Sequence, residues 1–332
     1  MYKYPPERAE VITESFDSLV KIWNDSGSRL NWDCLFVLPP WLKAWWSTFG
    51  SGKSLHICTV VKKNEIIGIA PLYIEGNTAF CIGDRDVSDY VDFIMAPGEE
   101  ILFFRTLFDH LRQKGVTHMD LGHVFRDSPT ISSITANADS LQCIIHSEPS
   151  DRIYEFELPQ TWEAYLYQLA AKERHEIRRK LRRLHEAGSI DIRIVEETEQ
   201  VGSAMDTFFE LFRMNMPEKS EFLTNTMESF FRMLAAEMAK ARLLRILFLE
   251  INSEAAAAVL CFDYRASVYL YNNGYNSRYR HLSVGYLSKV FGIQDSIQRG
   301  RKRFNLLKGD ETYKQHLGGK AQQLFRYRIE LK

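Results

Sequence analysis

Three apolar runs stand in a row between residues 243 and 275: LLRILFLEI, AAAAVLCFDY and SVYLYNNGY, separated only by polar turns at Asn252-Ser253 and Arg265-Ala266. Short β-rich runs joined by tight polar turns specify an antiparallel meander, because so short a connection can only reverse the chain onto its neighbour. GYLSKVFGIQDSIQRG (285–300) then reads as a helix that ends in glycine, and KRFNLLKG as one buried strand. Meander, helix and return strand together demand a mixed sheet with helices packed on it, an α/β arrangement.

The first half repeats this order. SLHICTVVKKNEIIGIAPLYI gives two strands joined at Lys62-Lys63-Asn64-Glu65, TAFCIGD a third, EEILFFRTLFDHLRQK a helix stopped by Gly115, and VTHMDLGHV the return strand. Aligning Gly115 with Gly300 sets Asp120 over Asn305 and Leu121 over Leu306. The chain therefore reads as a pseudo-duplication. Its 332 residues suit two domains of roughly 150 residues, placed at 1–150 and 151–332 with a linker around EPSD (148–151). Near the N-terminus, ahead of the first repeat, the spacing predicts PPWLKAWWSTFG as a helix, and between the repeats one long helix from Thr161 to about Ala187 and further helices over 199–215 and 226–240. A short helix near Glu311 to Leu317 and a last strand, QLFRYRIEL, close the chain.

A formal net charge of −1 leaves the whole molecule without a polyelectrolyte drive toward nucleic acid or membrane, so any such contact needs a local patch. The start, MYKYPPERAE, lacks a signal-peptide pattern, and no apolar stretch approaches the roughly 20 residues of a transmembrane helix. A cytoplasmic protein is expected. Five cysteines without a C-x-x-C pair read as small core residues, and nine histidines without H-x-x-x-H spacing predict no metal site.

One loop carries a chemical signal. Arg280-His281-Leu282-Ser283-Val284-Gly285 leads into a helix, whose first amides and positive dipole end suit a phosphate. An ordinary helix entry capped by Ser283 is the alternative. The order of meander, R-x-x-S-x-G loop, helix, strand, short helix and strand resembles the GCN5-related N-acetyltransferase (GNAT) fold, with its Q/R-x-x-G-x-G/A pyrophosphate loop. Arg280 and Gly285 match that pattern, while Ser283 replaces its first glycine.

From PPWLKAWWSTFG through APLYI, DYVDFI and the arginine-rich helix to LLKGDETYK, the chain more closely resembles the BioF2-like or CelD-like acetyltransferases, relatives of the FemAB peptidoglycan aminoacyltransferases. The resemblance implies two tandem GNAT-like domains, each a mixed, mostly antiparallel sheet flanked by helices. It also implies acyl transfer from acyl-CoA, such as acetyl-CoA, to an amine or hydroxyl of a cell-envelope or polysaccharide precursor. The donor would sit on Arg280, Ser283, Val284 and Gly285 and beside Tyr271, where the strand 268–272 splays from 304–307.

On that resemblance Lys314 would stabilise the carbonyl oxygen, Tyr313 protonate the leaving group, and Asp310 orient one of them or cap the short helix. KERHEIRRKLRRLHEAG crowds seven cations on one helix, and Arg174 and Arg178 are its candidate contacts to an anionic substrate or RNA. Asp89 and Asp92 lie on one side of an extended segment, as an amine or sugar site or as a solvated edge. Two other functions compete: a FemAB-type aminoacyl-tRNA-dependent transferase, and a non-catalytic scaffold. Either scaffold or enzyme would associate peripherally with a membrane-bound polysaccharide synthesis complex.

Overall fold

A computed structural model describes residues 9–25, 27, 29–83, 86–215 and 223–332. The chain divides into two compact units, Met1–Asp151 together with Gln323–Lys332, and Arg152–Gln322.

In the first unit, β1 (Ala9–Glu14), α1 (Phe16–Trp23) and α2 (Pro39–Phe49) precede the hairpin of β2 (Ser54–Lys62) and β3 (Glu65–Glu75). Lys63 and Asn64 both take left-handed angles, φ 50° and 68°, the paired geometry that lets a two-residue turn match strand twist. β4 (Thr78–Cys81), β5 (Ile94–Met95), α3 (Glu100–Gln113), β6 (His118–Phe125) and α4 (Pro129–Ala136) follow. The sheet order is β1-β2-β3-β4-β6 and then β13 (Lys320–Leu331), whose residues 324–330 pair antiparallel with β6. All pairings are antiparallel except β4 with β6. α3 packs Phe103, Phe104, Leu107, Phe108 and Leu111 inward, an i, i+4, i+8 stripe that follows from EEILFFRTLFDHLRQK.

The second unit takes the end of β7 (Cys143–Glu157), then α5 (Trp162–Gln168), α6 (Ala171–Glu186), β8 (Ile190–Val195), α7 (Thr198–Asn215) and α8 (Asn225–Lys240). The meander is β9 (Leu244–Ile251), β10 (Glu254–Tyr264) and β11 (Ser267–Tyr275). A 3-10 turn (Ser277–Leu282), α9 (Val284–Gln298), β12 (Arg303–Lys308) and α10 (Thr312–His316) complete it. Sheet order is β7-β12-β11-β10-β9-β8, again antiparallel except for one pair, β11 with β12. Each unit thus repeats one pattern: edge strand, meander, helix, parallel return strand, and a last antiparallel strand. The core forms where Val259, Leu270, Leu287, Val290, Phe304 and Leu306 meet between α9 and the sheet.

Three expectations change. The final strand completes the first unit's sheet, so residues 323–332 leave the second domain to which the sequence assigned them. EPSD does end at the division between the units, but as part of β7 rather than a loop, with the Gln323 side-chain amide donating to the carbonyls of Ser150 and Asp151. The long helix from Thr161 breaks at Leu169, which is extended at φ −78°, ψ 153°. The break lets Tyr165, Leu166 and Leu169 be buried together with Ile177 and Leu184 of α6, and core packing overrides the helical propensity of Leu169-Ala170-Ala171.

Candidate active site

β11 and β12 pair at only three positions: Ser267 with Arg303, Val268 with Phe304, and Tyr269 with Asn305. Beyond them the strands share no ladder pair, although β11 runs on to Tyr275 and β12 to Lys308. Both strands are bulged where they part. Against β10, Asn272 pairs with Leu260 and Leu270 with Cys261, which leaves Tyr271 as an extra residue. Against β7 the register of β12 shifts after Asn305. There the Leu307 amide donates to Asn305 Oδ1 at 2.8 Å, and Leu307 itself takes φ 57°. A bulge twists a strand away from its neighbour, so these local bonds open the sheet.

A cleft of about 410 Å³ lies at the opening. Its floor is Asn273 and Tyr275 of β11, and one wall is the loop from Arg280 into α9. Ser283 stands where the resemblance puts a glycine, and its backbone takes the left-handed conformation a glycine would favour, φ 61°, ψ 32°. Its hydroxyl makes no cap to the helix. The first-turn amides of α9, those of Val284 and Gly285 included, therefore lack the side-chain acceptor that would compete with an anion. Gly285 is needed for a second reason: a Cβ there would lie 2.6 Å from the Tyr275 ring.

Lys289, one helical turn beyond Gly285, is buried and also lines the cleft. Its Nζ donates to the Gly285 carbonyl at 2.6 Å and sits 4.7 Å from the centre of the Tyr313 ring. Burial, and then the Glu311 carboxylate, raise the Tyr313 phenol, so it keeps its proton. Glu311 and Asn215 complete the lining.

The expected residues divide accordingly. Arg280, Ser283, Val284, Gly285 and Tyr313 meet at the cleft. Tyr271 turns the other way, its ring 5.7 Å from Phe231 and 5.4 Å from Phe262, because the bulge reverses its facing relative to Asn273 and Tyr275. Lys314 is 2% exposed and does not line the cleft. Its ammonium donates to the carbonyls of Leu307 at 3.1 Å and Lys308 at 2.5 Å, and pairs with Glu311 at 3.1 Å. Gly309, at φ 121°, makes the turn that brings those carbonyls round it. Asp310 accepts a hydrogen bond from the Tyr154 hydroxyl at 3.1 Å and is likewise absent from the lining.

On α6, Arg174 lies over the Tyr167 ring at 5.2 Å, whereas Arg178 is exposed. Glu176 relieves part of the crowding of cations, since its hydrogen bonds from Arg179 and Lys180 pull its carboxyl down to about 2. Lys180 also sits 5.5 Å over the ring of Tyr286, a cleft residue, so α6 borders the site.

The first unit repeats the parting. β4 and β6 pair only at Thr78–His118, Ala79–Met119 and Phe80–Asp120, which puts Asp120 in the register position of Asn305. A smaller cleft of about 290 Å³ opens there, lined by Phe80, Asp120, His123 and Arg326 among others. Asp89 is buried, Asp92 holds Thr130 and the Phe93 amide, and neither lines this cleft. Lys289, Glu311 and Tyr275 were missed from sequence. The signal for Lys289 was present, a lone cation in the apolar stretch VGYLSKVFGI.

Comparison with known proteins agrees with this fold. Residues 171–315 match the family model described as acetyltransferase (GNAT) domain. No curated protein matches the sequence. Among solved structures the chain is similar to FemX, with TM-score 0.63 and 10% identity over 95% of this chain and 96% of that one. It is similar to L-PGS from Bacillus licheniformis, with TM-score 0.52 and 10% identity over 88% and 90%. It is also similar to a tandem GNAT protein from the clavulanic acid biosynthesis pathway, with TM-score 0.50 and 10% identity over 98% and 99%. Among the described residues no helix is long and apolar enough to cross a membrane. Residues 171–315 thus match an acetyltransferase (GNAT) domain, and the chain as a whole has a mixed α/β fold of the GNAT and FemAB-related kind.

Proposed function

We propose that the second unit transfers an acyl group from acyl-CoA to an amine or hydroxyl of a cell-envelope or polysaccharide precursor. The parting of β11 from β12 beside an uncapped helix start carries this reading. A pantetheine-like arm can bond to strand backbone, and beyond Tyr269 β11 shares no ladder pair with β12. A pyrophosphate needs amides and a cation, and Val284, Gly285 and the exposed Arg280 offer those. The acceptor nitrogen or oxygen attacks the thioester carbonyl, the C–S bond breaks, and the CoA thiolate takes the Tyr313 proton. Glu311 takes the proton lost by the acceptor. Lys289 supplies positive charge beside Tyr313, which favours the tyrosinate left by proton transfer. Lys314 and Asp310 are assigned to positioning, since they fix the turn from which Glu311 and Tyr313 project. The first unit's cleft is assigned to part of the acceptor.

A second reading rests on α6. Arg178, Arg182 and Arg183 are exposed on a helix that borders the cleft through Lys180, and such a stripe suits the phosphates of an aminoacyl-tRNA donor. Thermal melts with CoA, acetyl-CoA and tRNA separate the two. Donor binding at 100 times its dissociation constant raises stability by about 2.7 kcal/mol. A shift with CoA that Arg280→Ala weakens supports the first reading. A salt-sensitive shift with tRNA alone supports the second, and no shift with any of them leaves the scaffold.

A further inference from the structure

His56 and Cys58 are two residues apart on β2 and so project from one face of the strand. His110, in the last turn of α3, reaches the same point: its Nε2 lies 3.0 Å from Nε2 of His56, with the rings near parallel at 13°. One ligand atom from each of the three residues falls within 4.8 Å of the others. We propose that His56, Cys58 and His110 bind one divalent transition-metal ion, of which zinc is the best match, and thereby tie α3 to β2.

The geometry and the chemistry of the donors both favour an ion. Zinc holds imidazole nitrogen at about 2.0–2.1 Å and thiolate sulfur at about 2.3 Å in a tetrahedron, so its ligand atoms stand roughly 3.3–3.7 Å apart. The three side chains reach those spacings by movements on the order of 1 Å. Two nitrogens and one sulfur form a borderline-soft set that excludes magnesium and calcium and suits zinc or cobalt. Three protein ligands leave a fourth position for water, and His110 lines an open groove of about 800 Å³ through which an ion can enter. Lys114 is the charged neighbour of the site and opposes the ion, while the thiolate formed on binding offsets one of its charges. On binding, the Cys58 thiol loses its proton to solvent and sulfur donates the freed electron pair to the metal, without redox change. The site reverses the expectation of no metal, which looked for H-x-x-x-H spacing within one element and could not see a strand and a helix converging. It is independent of the acyl-transfer reading, since it lies on other elements.

Cobalt(II) titration of the full chain after chelator treatment tests it. The expected result is one equivalent bound, with tetrahedral d–d bands and a thiolate-to-cobalt charge-transfer band that zinc then abolishes. Cys58→Ser loses the charge-transfer band, and His110→Gln, a change at a half-buried helix position, weakens binding on the order of a hundredfold. A wild-type spectrum without the charge-transfer band overturns the proposal whatever the variants do. So does binding that His110→Gln leaves unchanged in a protein with native circular dichroism. Either outcome would reduce the pair to an imidazole–imidazole hydrogen bond.

Discussion

Asp120 and Asn305 hold the same register position in the two units. Each is the last residue of its strand to pair with a parallel neighbour, and each side chain accepts the amide two residues ahead, Gly122 at 2.9 Å and Leu307 at 2.8 Å. Both of those next residues take left-handed angles, φ 68° and 57°. One side-chain carbonyl therefore does in each unit what a loop insertion does elsewhere: it ends the ladder and opens a cleft.

Asn305→Ala tests that role. It removes the acceptor of the Leu307 amide and the donor to Glu155 at 2.8 Å, in a residue that is 1% exposed. Chemical denaturation should show a loss of about 1–3 kcal/mol. Acetyl-CoA should also bind more weakly, because β12 is then free to follow β11 further.

Tyr313→Phe keeps the ring beside Lys289 and deletes the proton. Turnover with acetyl-CoA should fall by about 100-fold or more, with KM for the donor nearly unchanged. Equal loss of donor affinity would mark the hydroxyl as a binding group instead.

Gly285→Ala places a methyl 2.6 Å from the Tyr275 ring, which itself lines the cleft. Overpacking of this kind costs about 1–3 kcal/mol. Calorimetric titration should show CoA affinity falling by more than stability alone explains.

Lys314→Met should lower stability by about 2–3 kcal/mol, since the carbonyls of Leu307 and Lys308 lose their shared donor and Glu311 its partner. Activity should drop in proportion to the loss of the turn. A variant as stable as the parent but inactive would return Lys314 to the chemistry.

Asp92 gives a pH signature. Burial pushes its carboxyl from 3.8 up to about 6, against the bonds from Thr130 and the Phe93 amide that favour the carboxylate. The folded state therefore holds this proton more tightly than the unfolded state. Stability falls as pH rises from about 4 to about 6 and stays reduced above, by about 3 kcal/mol in all. Asp92→Asn keeps an acceptor for both partners and should flatten the slope in denaturation curves taken across that range.

Much of the fold was written locally. The turns at Lys63-Asn64 and Asn252-Ser253, the glycine stops after two helices, and the common order of elements fixed both meanders and the alignment of Asp120 with Asn305. The misread parts depended on distant partners. EPSD is polar and largely exposed, and its strand conformation depends on pairing with a distant segment, β13. The Leu169 break serves a core that the local sequence does not reveal. The loop from Arg280 to Gly285 was legible as a helix entry because its spacing is contiguous. Lys314 was assigned to the cleft by its place in a motif, and the sequence could not show that Gly309 would wrap two carbonyls around its ammonium. Lys289 sits four residues past the loop, hidden by its apolar company.

The C-terminal strand adds a temporal consequence. β6 emerges from the ribosome long before β13, so it waits with one hydrogen-bonding edge bare until residues 324–330 arrive. Synthesis thus delivers the closing piece of the earlier half only after the whole second unit, and a nascent chain halted before β13 would expose a sticky edge.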